Sequence, residues 1–338
     1  MQRTSYQLKA GNLKDLKQSS ADLPPPGPQE VQIAVKAIGL NFADVFAIWG
    51  LYGATPEGTF IPGLEFSGDI IAVGKEVTNH RPGDKVMGVT RFGAYTTHLN
   101  IEQEYAIPLP QDWTYEEGAA YLVQVLTAYY GLVNLGNLQK GHTLLIHSAA
   151  GGVGIFAGRL AKALGAGRLI GSVGHEDKVA HCQAEGYDQV IVRQDDFAGQ
   201  LDEMLGEQQL DLVMECIGGK VLRAGYERLA PQGRMVVYGS ARYASSSDRP
   251  NKLKLIWKFL QRPKIDPQNM IESNRGILGF NLIYLYERSA LMHQLLEDIS
   301  KLNIGRPRVG HLFEFDQLPE AIRLFQTGKT IGKVVVKI

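Results

Sequence analysis

The sequence predicts a two-domain α/β protein: a doubly wound domain with a six-stranded parallel sheet, beside a β-rich domain of short strands. Three features predict it. From about residue 140, short apolar runs alternate with segments of helical period. One junction carries a turn of small residues, Ala149-Ala150-Gly151-Gly152-Val153-Gly154, directly after an apolar run. Before residue 117, short strands are punctuated by glycine turns.

The elements follow in order. Val31-Gln32-Ile33-Ala34-Val35-Lys36-Ala37 alternates at period two behind the loop Pro24-Pro25-Pro26-Gly27-Pro28. Turns at Gly63, Gly68, Gly74, Gly83, Gly88 and Gly93 suit a partly open barrel. Thr114 and Glu117 are spaced as a capping box. They open a stretch of 22 residues without charge, which is long enough to span a bilayer. Gln124, Asn134, Asn137 and Gln139 make it polar, so one buried helix is expected instead. Parallel strands are expected at Thr143–His147, Arg168–Ser172, Gln189–Val192, Asp211–Glu215, Arg234–Tyr238 and Ile277–Asn281. Helices fall between them at Val153–Leu164, Lys178–Glu185, Phe197–Leu205 and Lys220–Leu229. The tail adds a helix near Leu318–Gln326 and a strand at Lys333–Lys337.

Composition excludes several classes. Lys+Arg is 35 and Asp+Glu is 35, so the basic surplus that general nucleic-acid binding needs is absent. A chain 44% hydrophobic and 21% charged is not disordered. The two cysteines, Cys182 and Cys216, cannot build a disulfide framework or a cysteine-based zinc site. Cys216 reads as a buried structural thiol. The polar N-terminus to Gly11 has no signal-peptide pattern, so a cytoplasmic address is expected.

The chemistry is carried by Ala149–Gly154. It is a dinucleotide fingerprint with Ala in place of the first Gly, set between a strand and a helix. Small residues let the backbone approach a pyrophosphate, and the helix start presents free N–H groups to it. An NAD site wants an acid at the end of the second strand, about 20 residues on. Here that stretch is Gly171-Ser172-Val173-Gly174-His175. Ser172, Lys178 and Arg193 suit a 2′-phosphate instead, so NADPH is the expected cofactor. The eight histidines show no ligand spacing and read as surface or packing residues.

Several collinear pieces resemble one family. They are Gly39-Leu40-Asn41-Phe42-Ala43-Asp44, Gly50-Leu51-Tyr52, Pro62–Gly68, Pro82–Val86, Leu126–Tyr130, Ala149–Gly154 and Gly332–Val335. The chain is similar to the zinc-free quinone oxidoreductase branch of the medium-chain dehydrogenase/reductase superfamily. Asn274–Leu282 is most similar to its vesicle amine transport protein-like members. The resemblance implies a GroES-like substrate domain from 1–119 and 283–338, with a Rossmann NADPH domain at 120–282 inserted between them. It implies a homodimer through edge strands near Ile277–Leu282.

It also bears on metal and mechanism. Zinc relatives carry Cys where Asn41 stands and Gly-His-Glu where Gly63-Leu64-Glu65 stands, so no metal site is expected. Without a Lewis acid, acceptors that take hydride unaided are favoured: quinones and carbonyl-conjugated alkenes. The implied catalytic set is Asn41 and Tyr52, steadying the acceptor oxygen, with Gln124 one turn from Thr127. Asp44 orients the loop. The implied cofactor contacts are Asn41, Thr127, Tyr130, Ala150, Gly151, Gly152, Val153, Gly154, Ser172, Lys178, Arg193, Ile217, Gly239, Ser240, Gly279, Phe280, Asn281 and Lys333. Arg193 aligns where some members have a Tyr that packs on the 2′-phosphate.

Residues 249–264 stand apart. Arg249, Lys252, Lys254, Lys258, Arg262 and Lys264 are interleaved with apolar residues, and no acid interrupts them. Such a basic amphipathic helix fits a cleft lid, a subunit contact or a weak contact with an anionic membrane. The function expected is an NADPH-dependent reductase of quinones. The alternatives are an alkenal or enone double-bond reductase, and a non-catalytic NADPH-binding scaffold at a membrane or in a complex.

Overall fold

The computed structural model describes residues 1–338. Its parallel sheet has six strands: Thr143–His147, Arg168–Val173, Gln189–Val192, Leu210–Glu215, Leu229–Val237 and Gly276–Gly279. Numbered in that order, they lie 3-2-1-4-5-6, all parallel. The order reverses between the first and fourth strands, where a doubly wound sheet leaves a crevice at its C-terminal edge. Helices Gly152–Ala163, Val179–Ala184, Phe197–Leu205 and Gly219–Glu227 make the crossovers. The strands are near-continuous apolar runs because both faces are covered.

A seven-stranded sheet forms the second body. Its core strand, Glu30–Gly39, pairs with Glu65–Val73, His98–Glu102 and, antiparallel, with Lys333–Lys337 near the C-terminus. That last pairing sets Val335 opposite Gly39 and so brings Lys333 beside Asn41. Val309–Glu314, which period reading passed over, pairs parallel to Lys333–Lys337. A three-stranded sheet joins Gln2–Lys9 to Lys17–Asp22 and Thr59–Phe60.

Three expectations are corrected. The uncharged stretch is not one helix. The capping box Thr114/Glu117 forms, but the helix it opens is only Tyr115–Gly118. A second helix, Leu122–Tyr129, starts where Glu65 Oε2 accepts the Val123 N–H at 3.2 Å, and it runs on as π-helix over Tyr130–Leu135. A buried carboxylate from the other body thus caps a helix start, something no local pattern encodes. The expected helix Lys178–Glu185 starts one residue later, after a 3₁₀ turn at Glu176–Lys178. The expected helix to Leu229 stops at Glu227, because Leu229 already pairs with Leu210 in the sheet. No helix is long and apolar enough to cross a membrane.

Candidate active site between the two sheets

A cavity of about 1140 Å³ opens between the two bodies, large enough for a ligand well beyond ordinary drug size. One end is the fingerprint turn. The first parallel strand ends at His147, and Ser148 takes a left-handed conformation. The helix then begins at Gly152, with its first N–H groups unpaired within the helix. Ala150, Gly151, Gly152, Val153 and Gly154 all line the cavity, as expected. Gly152 has a stated reason: a Cβ there would lie 1.7 Å from Gln124 Oε1. Gln124 is buried against the turn, and its Nε2 has no protein partner. Unpaired helix N–H groups and an orphaned amide beside them fit a phosphate-bearing cofactor.

Residues 328–333 stitch the two bodies together at this end. The Gly332 N–H donates to Ala150 O at 2.8 Å. Lys178 was expected at a 2′-phosphate; it lines the cavity, but its Nζ donates to Gly328 O at 2.6 Å and Thr330 O at 2.8 Å. It fastens the C-terminal segment onto the doubly wound domain. Ser172 is corrected more fully. It is wholly buried and does not line the cavity, with its hydroxyl between His147 Nδ1 (2.6 Å) and Arg193 Nη1 (3.0 Å). Arg193 does line the cavity. Burial pushes His147 down to about 3 and Glu215 up to about 7.

The other end holds buried polar groups from four segments. Asn41 caps the helix Phe42–Ile48, its N–H donating to Asp44 Oδ2 at 2.8 Å. Its side chain turns away to Glu65 Oε1 (2.9 Å) and Gly39 O (3.3 Å), and accepts from Lys333 Nζ at 2.8 Å. Lys333 also pairs with Glu65. Both amide hydrogens of Asn41 are therefore given to protein acceptors. Lys333, which lines the cavity, retains a third N–H. Gly39 makes room for it, since a Cβ there would lie 2.8 Å from Lys333 Cε and 1.8 Å from Ala119 O. Tyr52 Oη donates across the cleft to Asn281 Oδ1 at 2.6 Å.

The remaining expected residues divide. Thr127, Ile217, Gly239, Ser240, Gly279, Phe280 and Asn281 line the cavity. Tyr130 does not; it packs edge-on against Phe280 with ring centres 5.1 Å apart. Cys216 is only partly buried and faces the cavity, so it is not the enclosed thiol expected. The helix Lys252–Leu260 contributes nothing to the cavity; Tyr243 to Ser246 line it instead. The lid reading of 249–264 is thereby corrected. Sequence reasoning missed Glu65, His147 and Glu215. The signal was present: each is a titratable residue inside or at the end of an apolar run.

Asp44 supplies a pH test. It is fully buried, accepts from Tyr95 Oη at 3.0 Å, and leaves Oδ1 unpartnered. Burial lifts its carboxyl from the ordinary 3.8 to about 7. Between those values the unfolded chain is ionised there while the folded chain keeps its proton. Rising pH therefore removes stability over that window. Relative to Asp44→Asn, the wild-type denaturation midpoint should fall as pH rises from about 4 to about 7 and stop falling above it. Parallel curves would refute the assignment.

Residues 152–297 match the family model of zinc-binding dehydrogenases, and residues 27–111 that of the alcohol dehydrogenase GroES-like domain. The synaptic vesicle membrane protein VAT-1 homolog of Rattus norvegicus is 32% identical over 330 residues, covering 94% of this chain and 80% of that protein. Among solved structures, the quinone oxidoreductase of Thermus thermophilus, determined also in complex with NADPH, is 28% identical with a TM-score of 0.80, covering 99% of this chain and 100% of that one. The CurK enoyl reductase is 27% identical with a TM-score of 0.83, covering 99% of each chain.

Proposed function

The chain belongs to the medium-chain dehydrogenase/reductase superfamily, in its zinc-free branch near the VAT-1-like quinone reductases, and on that premise we propose that it is an NADPH-dependent reductase of quinones in the cytoplasm. The carrying observation is one cavity that joins a fingerprint turn to the buried Asn41–Glu65–Lys333 cluster. A bound NADPH would supply hydride. The chain's own part is positioning and charge. The first turn after Gly151 receives the pyrophosphate, and Arg193 meets the 2′-phosphate. Lys333 offers its remaining N–H to the acceptor oxygen, held in place by Asn41 and Glu65. Tyr52 serves the same oxygen by exchanging its bond to Asn281. Leu282, Ile283, Leu285 and Met292 give the cavity an apolar wall suited to a flat, poorly hydrated acceptor.

NADPH oxidation by the purified protein against quinone and alkenal panels, with NADH alongside, is the test. Quinone turnover with NADPH preferred supports the reading. Turnover with alkenals alone moves the function to double-bond reduction. Tight NADPH binding without turnover leaves the scaffold. A homodimer through the outer edge of Gly276–Gly279 belongs to the same reading.

A membrane-surface contact has its own support. Leu253 (79% exposed), Ile256 (57%), Trp257 (63%) and Leu260 (67%) form a bare apolar stripe at helical spacing, flanked by Lys252 and Lys254. Wild-type protein should float with anionic vesicles and not with neutral ones, and Lys252→Glu/Lys254→Glu should stay at the bottom of the gradient. Equal flotation of both proteins would end this reading.

A further inference from the structure

A line of buried polar groups runs beneath the cofactor end of the cavity and takes no direct part in it. His147 and Ser172 are direct neighbours in the pairing of the first two parallel strands, and Glu215 ends the fourth strand on His147's other side. All three are fully buried, and none lines the cavity. Arg193 follows the third strand and does line it.

The hydrogen bonds have a single consistent direction. Arg193 Nη1 donates to Ser172 Oγ at 3.0 Å, so the serine hydroxyl is free to give its own proton away. Its neighbour is His147 Nδ1 at 2.6 Å. His147 must then accept there and carry its proton on Nε2. That atom lies 3.2 Å from Glu215 Oε2, a close contact that falls short of hydrogen-bond geometry, and neither atom has any other polar partner. Burial keeps the ring neutral, as this order of protons requires. Glu215 is anchored in turn, because Oε1 accepts the N–H groups of Ile217 and Gly218 (2.6 Å for the latter). Three strand ends thus line up behind one corner of the guanidinium that follows a fourth. The rest of it is uncommitted: Ser172 is its only side-chain acceptor, and a Cβ on cavity-lining Gly174 would lie 3.4 Å from Nη2.

We propose that Ser172, His147 and Glu215 are positioning residues that hold Arg193 with its free edge toward the 2′-phosphate of an adenosine ligand. This rests on the reading of Arg193 as the 2′-phosphate ligand, and deepens it. A free arginine loses much of its binding energy to ordering its side chain, and one pinned beforehand does not. A planar fork discriminates a dianion from a hydroxyl only when its edge is aimed.

The test is calorimetric binding of 2′,5′-ADP and of ADP, which needs no turnover. Ser172→Ala should weaken 2′,5′-ADP about tenfold and leave ADP within about twofold. Ser172→Thr, which keeps the hydroxyl, should restore most of the loss. Glu215→Gln puts an amide N–H against His147 Nε2, reverses the proton order, and should weaken 2′,5′-ADP in the same sense. Arg193→Ala separates the two levels. If it leaves 2′,5′-ADP binding unchanged, the reading of Arg193 itself fails. If it abolishes the preference while Ser172→Ala binds like wild type, the positioning proposal is overturned. Equal weakening of 2′,5′-ADP and ADP by Ser172→Ala would mark a merely structural role and overturn it too. An unaffected Glu215→Gln would remove Glu215 and His147 from the line.

Discussion

Replacing Lys333 by Met should cost about 3–5 kcal/mol of stability, the usual penalty for removing one partner of a buried ion pair. Lys333 and Glu65 are both almost wholly buried, and Asn41 bonds to each of them. Taking the ammonium away strands a carboxylate that also caps the helix Leu122–Tyr129 through the Val123 N–H. The damage should therefore spread to the wall that carries Gln124 and Thr127. Denaturant midpoints read the loss. The double variant Lys333→Met/Glu65→Gln should recover a substantial part of it, because the stranded charge goes with its partner. A Lys333→Met variant as stable as wild type would mean that Glu65 finds water or a proton at no cost. On the reductase reading the same variant also loses turnover even where it folds, since Tyr52 is then left as the lone donor to the acceptor oxygen.

On the reductase reading, Arg193→Ala should abolish the proposed preference for NADPH over NADH. Hydrogen bonds to a charged group contribute about 1.5–3 kcal/mol, which is roughly 10–100-fold in affinity. The loss should fall on NADPH alone, because no acid stands at the end of the second strand to favour NADH in its place. The ratio of kcat/KM for the two cofactors measures it. An unchanged ratio would send the 2′-phosphate elsewhere. Lys178 is poorly suited to replace Arg193, with its ammonium already given to Gly328 O and Thr330 O.

These predictions draw unequally on sequence and on structure. The parallel sheet was legible because each strand is a short apolar run and each crossover has helical period; Gln189–Val192 and Phe197–Leu205 stand where the sequence places them. The fingerprint turn was legible for a related reason. Its function depends on local backbone geometry, and small residues between a strand and a helix encode that directly. Glu65 was quoted as part of a motif, yet its three roles were not visible. It takes the Lys333 ammonium, the Asn41 amide and a helix N–H, contributed by segments distant along the chain. The uncharged stretch after Glu117 was misread as one helix for the same reason.

The contrast is sharpest at the cofactor end. Ser172, Lys178 and Arg193 are equivalent candidates as residue types, each able to meet a phosphate. Burial and pairing separate them: Ser172 is spent inside, Lys178 ties two segments together, and Arg193 alone keeps a free edge in the cavity. The sequence by itself determined the sheet, the fingerprint turn and the absence of zinc ligands at Asn41 and Leu64, because these are properties of residues and their near neighbours. Only the tertiary structure decided which polar groups are still available to a ligand. Each donor hydrogen serves one partner well, and the partners here arrive from opposite ends of the chain.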